Sequence, residues 1–281
     1  MPALVRRVTV TILCDNSVAG SGVLAEHGLS LHVDAGGRAF VFDTGASGVF
    51  VGNAARLGID LSQAAPVVLS HGHYDHTGGL AALLSSWGGR EVIGHPEVLA
   101  AKFSRQRSRP ACAIGSPQSR RRLSRLGATF RLSAEPQEIA PGVITSGVIP
   151  RTTDFEHIPP HFMAKRGGQL ARDSFDDEQA VVVRTRRGLL VIVGCAHRGL
   201  INTIRRAIEV TGDGRVCAVI GGTHLAAADP PQVERTVKEL RALGVGRLVA
   251  CHCTGFGPSA ELRSAFGESF SPGGVGATFT L

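Results

Sequence analysis

Ser70-His71-Gly72-His73-Tyr74-Asp75-His76-Thr77-Gly78-Gly79 is the stretch that decides how this chain is read. It sets three histidines and one aspartate in six consecutive positions, directly after the apolar run Ala65-Pro66-Val67-Val68-Leu69. That run has the length and composition of a short buried strand. Neutral imidazole and carboxylate are the donors that Zn, Fe and Mn accept. His71 and His73 are two apart, so on extended backbone they share one face. Asp75 and His76 follow in the turn, where they reach a second ion close by. A polar loop with scattered histidines is the weaker reading, because chance seldom supplies this cluster at a strand end.

The last third of the chain repeats the pattern in a sparser form. Three apolar strands each end in a histidine: Val193-Gly194-Cys195-Ala196-His197, Ile220-Gly221-Gly222-Thr223-His224 and Val249-Ala250-Cys251-His252. Glycine or another small residue ahead of the histidine lets the backbone turn sharply. Strand-end placement in all three brings the side chains towards one edge. His197 and His252 are the stronger ligand candidates; His224 is either a ligand or a catalytic group facing the substrate.

The string H-x-H-x-D-H-T-G-G resembles the signature of the metallo-β-lactamase superfamily. The resemblance implies an α/β (α+β) fold, a four-layer αββα sandwich with two facing sheets, outer helices and a one- or two-metal site at a sheet edge. It also implies the ligand sets. His71, His73 and His197 would hold one ion, and Asp75, His76 and His252 the other, with His224 left to face the substrate. Asp75 and His224 are the candidate catalytic groups. In many superfamily hydrolases a Gly-Asp pair supplies a carboxylate shared by both ions; the matching position here is Gly194-Cys195, where the cysteine either ligates as thiolate or packs, and packing is favoured. Phe42-Asp43-Thr44-Gly45 also matches, and there the aspartate hydrogen-bonds the ligand region without ligating.

Composition bounds the rest. The chain has 281 residues, enough for one large domain or two small ones, and its 43% hydrophobic content is long on core without an apolar run of the ~20 residues a membrane span needs. Met1-Pro2-Ala3-Leu4-Val5-Arg6-Arg7 lacks the apolar stretch of a signal peptide, so a cytoplasmic protein is expected. Six cysteines without framework spacing argue against a disulfide scaffold, and Cys251-His252-Cys253 lacks the paired spacing of a structural zinc site. Strand and helix signals run along residues 1–281 without a composition break, giving a single domain with a loop-rich basic insert at about 100–180, irregular from 150 to 178.

The net charge of +7 is concentrated in that insert, at Lys102, Arg105, Arg107, Arg109, Arg120, Arg121, Arg122, Arg125 and Arg131, with no acidic residue between them. Such a block is a solvated face, a seat for a small anionic or phosphorylated substrate, or a nucleic-acid footprint. Aromatic residues do not interleave with the basic ones, which ranks nucleic acid last. No feature settles oligomeric state, and a homo-oligomer stays open.

Several further segments narrow the resemblance to one branch. They are Thr11-Ile12-Leu13-Cys14-Asp15-Asn16, Gly147-Val148-Ile149-Pro150-Arg151, Asp173-Ser174-Phe175-Asp176-Asp177-Glu178-Gln179-Ala180, Gly194 to Asn202, Gly221-Gly222-Thr223-His224-Leu225 and Cys251-His252-Cys253-Thr254-Gly255. Together they are similar to the 7,8-dihydropterin-6-methyl-4-(β-D-ribofuranosyl)aminobenzene-5'-phosphate synthase-like family over roughly residues 8 to 256. That resemblance implies a transferase joining a pterin methyl diphosphate to an arylamine, with two divalent ions, zinc foremost and Mn or Fe as substitutes. Asn16, Arg151 and Glu156 are the expected substrate contacts. The alternative is a metal-dependent hydrolase of a phosphoester, lactone or thioester acting through metal-bound hydroxide. A nuclease ranks below both.

Overall fold

Gly188–Val193 is apolar at nearly every position because both of its faces are covered: Leu190 and Ile192 point into one core, Leu189, Val191 and Val193 into another. That double burial places the strand inside a layered structure. The computed structural model describes residues 3–105 and 110–281. Arg107 and Arg109 of the expected basic block lie outside the described residues.

The N-terminal part carries β1 (Val8–Cys14), β2 (Ser30–Ala35), β3 (Ala39–Phe42), α1 (Val49–Arg56), β4 (Ala64–Val68), α2 (Tyr74–Thr77), α3 (Leu80–Trp87) and β5 (Glu91–Gly94). The middle carries β6 (Lys102–Ser104), β7 (Cys112–Ala113), α4 (Arg120–Arg125), β8 (Thr129–Leu132), β9 (Glu138–Ala140), β10 (Val143–Thr145), β11 (Phe162–Arg166) and β12 (Gln169–Arg172). The C-terminal third carries β13 (Val181–Thr185), β14 (Gly188–Val193), α5 (Leu200–Thr211), β15 (Val216–Gly222), α6 (Pro230–Ala242), β16 (Leu248–Cys251), α7 (Phe256–Phe266), β17 (Phe270–Pro272) and β18 (Thr278–Thr280).

Two seven-stranded sheets face each other, in the orders β18-β1-β2-β3-β4-β5-β8 and β17-β16-β15-β14-β13-β10-β9. Val10, Ile12, Leu31 and Phe42 of the first meet Val181, Val183, Ile220 and Val249 of the second in the central core. Phe50, Ala54, Leu80, Leu83 and Leu123 of α1, α3 and α4 cover the outer face of the first sheet. Ile201, Ile204, Leu240 and Leu262 of α5, α6 and α7 cover the outer face of the second. The result is the four-layer αββα sandwich. Within it, β3, β4, β5 and β8 run parallel, as do β14, β15, β16 and β17. Their carboxyl ends are where ligand-bearing loops of such sheets emerge.

The insert differs from its expectation as a loop-rich segment. β12, β11, β6 and β7 form a third, four-stranded sheet, with Met163 opposite Phe103 and Ser104 opposite Cys112. Its strands are short and largely exposed, so they carry little of the apolar alternation that reveals a strand. The sheet edge reaches the histidine cluster: Tyr74 N–H donates to Ile114 O at 2.9 Å.

Three residues expected to meet a substrate or an anion are used to hold this architecture. Glu156 closes the N-terminus of α5. Its carboxylate accepts the Ile201 N–H (2.8 Å), the Asn202 N–H (3.1 Å) and the Thr153 hydroxyl (3.0 Å), and the residue is 4% exposed. Those are the donors a helix start leaves unpaired, so Glu156, expected as a substrate contact, serves in this structure as a helix cap. Lys102, counted in the basic block, is buried with its ammonium 2.7 Å from both Asp173 Oδ2 and Asp177 Oδ1. Burial opposes its charge, but the two carboxylates hold its pKa above the ordinary lysine value. Arg131 is likewise engaged, by both oxygens of Glu91 at 3.0 Å.

Asp177 Oδ2 also accepts the Gly72 N–H at 2.8 Å, so the Lys102 cluster fastens the insert to the histidine turn. Removing one member of a buried ion cluster strands the others without their countercharge. Lys102→Met is expected to lower unfolding stability by about 3–5 kcal/mol, read as a lower urea midpoint. A midpoint unchanged from wild type would show that the cluster is not part of the cooperative fold.

Candidate metal centre

Each element that reaches the site does so from a strand end. β4 runs through Leu69 into Ser70 and His71, β14 into Cys195 and His197, β15 into His224, and β16 into His252. β3 ends at Asp43 and β1 at Asp15 and Asn16. The turns are tight enough that Asp43, Ala196, His224 and His252 all take positive φ, at 58°, 56°, 52° and 53°. Such backbone is costly for a residue with a Cβ, by about 1–3 kcal/mol each, and it concentrates at functional sites.

The structure brings together both expected ligand sets. One nitrogen each from His71, His73 and His197 lie within 4.8 Å of one another. In the second set His76 Nε2 is 3.2 Å from His252 Nε2 and 3.8 Å from Asp75 Oδ2, with 3.4 Å between Asp75 Oδ2 and His252 Nε2. His71 and His76 stand side by side, their ring centroids 4.2 Å apart, so the two sets adjoin.

Hydrogen bonds behind the rings determine which nitrogen points forward. The Asp43 carboxylate only accepts, so the Ser70 hydroxyl donates to Asp43 Oδ2 (2.6 Å) and has only lone pairs left for His71 Nδ1, 2.9 Å away. His71 therefore carries its proton on Nδ1 and turns an Nε2 lone pair forward. His76 Nδ1 donates to Asp43 Oδ2 at 2.7 Å and His252 Nδ1 to Asn16 Oδ1 at 3.0 Å, which frees Nε2 in both. This is the outer arrangement that fixes metal-binding histidines.

The forward atoms suit an ion. His71 Nε2, His73 Nε2, both nitrogens of His197 and His224 Nδ1 are buried and have no hydrogen-bond partner among the described residues. A buried polar atom without a partner costs on the order of 1–3 kcal/mol, and a bound cation removes that cost for several at once. Burial, reinforced by neighbouring imidazoles, holds His71 and His197 well below the ordinary histidine pKa, and burial does the same for His73. These three stay neutral, as ligands must. His76 behaves differently: burial disfavours its cation, but Asp43 and Asp75 outweigh that and raise its pKa.

Among the remaining expected site residues, His224 lies against the first set, its ring centroid 4.1 Å from that of His197. Asn16 departs from its expected substrate contact. Its side chain accepts from Gly28 N–H (3.1 Å) and donates to His252 O (3.2 Å) besides facing His252 Nδ1, so it orients a ligand. Arg151 is exposed beside a cleft of ≈290 Å³ that it shares with Arg172 and Phe162. Phe162 also lines the cavity of ≈230 Å³ in front of the histidines, so cleft and cavity are neighbours.

Sequence reasoning missed His27, whose Nε2 is 3.1 Å from Asp75 Oδ2, and Cys253, which accepts the His224 N–H at 3.2 Å. Nothing local marks His27, which meets the site only through the fold; Cys253 stands beside His252 in the Cys251-His252-Cys253 run, which lacks the paired spacing of a structural zinc site. Glu178, to which sequence reasoning assigned no role, is buried under the site and accepts the N–H groups of His197 (2.7 Å) and Arg198 (2.6 Å). Burial pushes its pKa up to about 7 against those two donors. Cys195, for which packing was favoured, has its Sγ 3.2 Å from His76 Nε2 and lines the cavity.

The chain is similar to several known proteins. The description of the metallo-β-lactamase superfamily matches residues 25–259. A 7,8-dihydropterin-6-methyl-4-(β-D-ribofuranosyl)-aminobenzene-5'-phosphate synthase of Methanocaldococcus jannaschii is 29% identical over 269 residues, 92% of each chain. The crystal structure of Tm1679, described as a metal-dependent hydrolase of the β-lactamase superfamily, superposes with a TM-score of 0.84 at 34% identity, covering 97% of this chain and 98% of the other. Zn(2+)-bound PqqB from Methylobacterium extorquens shares the fold at a TM-score of 0.60 and 14% identity, covering 97% of this chain and 100% of the other. Its sandwich, its strand-end histidines and these relatives place the chain in the metallo-β-lactamase superfamily.

Proposed function

We propose that this protein is a metal-dependent transferase that joins a pterin methyl diphosphate to an arylamine bearing a ribose phosphate. The observation that carries the proposal is the adjacency of two candidate ligand clusters to a cleft lined by Arg151 and Arg172. Two divalent ions at the sets, zinc foremost and Mn or Fe as substitutes, would supply Lewis acidity to stabilise the departing diphosphate. The chain's own groups do the rest. Arg151 presents a planar fork suited to a phosphate. Phe162, between cleft and cavity, offers a flat apolar face to an aromatic ring. His224 Nδ1, buried and without a partner, takes the arylamine proton as the C–N bond forms and the methylene C–O bond breaks. The similarity to the methanogen synthase over 92% of both chains supports this reading.

A second reading, hydrolysis, is favoured by the description of the 34% identical Tm1679 as a hydrolase. In that case water takes the place of the arylamine. One assay separates the two: metal-loaded protein with the pterin methyl diphosphate, with and without the arylamine phosphate. The transferase reading expects diphosphate release that depends on the arylamine and a coupled pterin–arylamine product. Release of diphosphate with free hydroxymethylpterin, independent of arylamine, would replace it with the hydrolase.

His73→Ala should lose metal and turnover together, turnover by on the order of 100-fold or more. Full metal content in that variant, by elemental analysis, would show the ligand assignment to be wrong.

The two sets should part company in acid. Protonated imidazole does not ligate, so proton competition begins where the metal-free histidine titrates. For His76 that pKa is raised, and for His71, His73 and His197 it is lowered. As pH falls, metal content should therefore step from two ions to one before reaching zero. The ion retained longer should be the one kept by His252→Ala, which leaves the first set intact. Loss of both ions in one step would contradict the assignment.

A further inference from the structure

Among the described residues, Cys195 is the one side chain outside the two expected sets that groups with donor atoms of both. Its Sγ lies within 4.8 Å of donor nitrogens of His71, from the first set, and His76, from the second. It is equally within 4.8 Å of His197 and His224 on one side and of His252 and Cys253 on the other. His76 Nε2, the nitrogen that Asp43 turns forward, is 3.2 Å away. The residue is 3% exposed, yet its thiol faces imidazole nitrogens and lines the cavity, which is not how a cysteine packs in an apolar core.

The backbone enforces this aim. Gly194 leaves room that a Cβ would take from Ser70, and Ala196 is held at φ 56°, so that Cys195 and His197, two apart, both reach the cavity. His71 is fully buried with its Nε2 unpartnered among the described residues, and one of its nitrogens lies within 4.8 Å of the Cys195 Sγ. Cys253 is a weaker bridging candidate, since its sulfur groups with Cys195 and His252 but with no histidine of the first set among the described residues.

We propose that Cys195 is a metal ligand, a thiolate shared between the two ions and giving the centre a sulfur donor in addition to its imidazoles and Asp75. On ligation the thiol proton leaves to solvent and the sulfur lone pairs face both ions. A thiolate favours soft and borderline cations, so zinc or cobalt should be held in preference to manganese. The inference rests on the metal dependence of the proposed function and is independent of its substrate.

The test is Co(II) substitution of the whole protein, read by metal content and by the near-ultraviolet sulfur-to-cobalt charge-transfer absorption. Wild type should take up two ions and show the band; Cys195→Ser should lose the band and bind at least one ion tenfold or more weakly. Cys253→Ser should keep the band. Cys195→Asp guards against simple misfolding, because a carboxylate in the same place should restore two ions without the band. Two bound ions with no band in wild type, or a band that survives Cys195→Ser, would overturn the thiolate ligand and leave the transferase reading standing. Absence of cobalt uptake would overturn both.

Discussion

The Asp43 carboxylate is the constraint on which both halves of the centre depend. It is fully buried at the end of β3, where it receives the Ser70 N–H (2.7 Å), the Ser70 hydroxyl (2.6 Å) and His76 Nδ1 (2.7 Å). Through His76 it sets the second ligand group directly. Through Ser70 it sets His71, and with it the first. A buried carboxylate with three donors around it is satisfied as an anion, and each donor is thereby fixed in direction. Asp43 itself sits at φ 58°, so the fold holds it in place against its own conformational preference.

What was legible in the sequence was what local chain geometry controls. The His71–His76 turn, the three strand-end histidines and the double-sided apolar runs at Val181–Val183 and Leu189–Val193 each announce themselves within a few residues. Asp43 was legible as part of a motif. The illegible residues are those whose partners are distant. Asn16 reaches His252 across 236 positions and Glu156 reaches Asn202 across 46, and a polar residue in a loop gives no sign that its hydrogen bonds are already committed. For the same reason part of the basic block dissolved on folding, with Lys102 and Arg131 turned to carboxylates elsewhere in the chain. β17 and β18 were invisible because three-residue edge strands lack a period; β18 is defined by pairing with β1, Phe279 opposite Val10.

Strain and orientation are distributed unevenly around the cavity, and the distribution is informative. Phe175 at φ 53° joins Asp43, Ala196, His224 and His252 as the positive-φ residues other than glycine among the described residues, and its ring stacks on His197 with centroids 4.0 Å apart. Every such residue thus borders the histidines. His71, His76 and His252 each have a hydrogen bond behind the ring, whereas His197 has none and is positioned instead by packing against Phe175 and by the Glu178 carboxylate, which grips its backbone N–H. An imidazole with both nitrogens free can still adjust its rotation when an ion or substrate arrives.

The insert decides what reaches that cavity. Its third sheet is tied to the histidine turn at two points, the Tyr74 N–H to Ile114 O bond and the Asp177 bridge between Lys102 and Gly72. Because Gly72 lies between His71 and His73, the wall and the first ligand set are one mechanical unit. Phe162 and Ile114 of this wall line the cavity together with His73 and His197. The charges are arranged along the same line: Asp75 and Asp43 lie on the side of the second set, and Arg151 and Arg172 stand at the cleft beyond Phe162. The positive end of this line is therefore separated from the carboxylates by the width of the cavity.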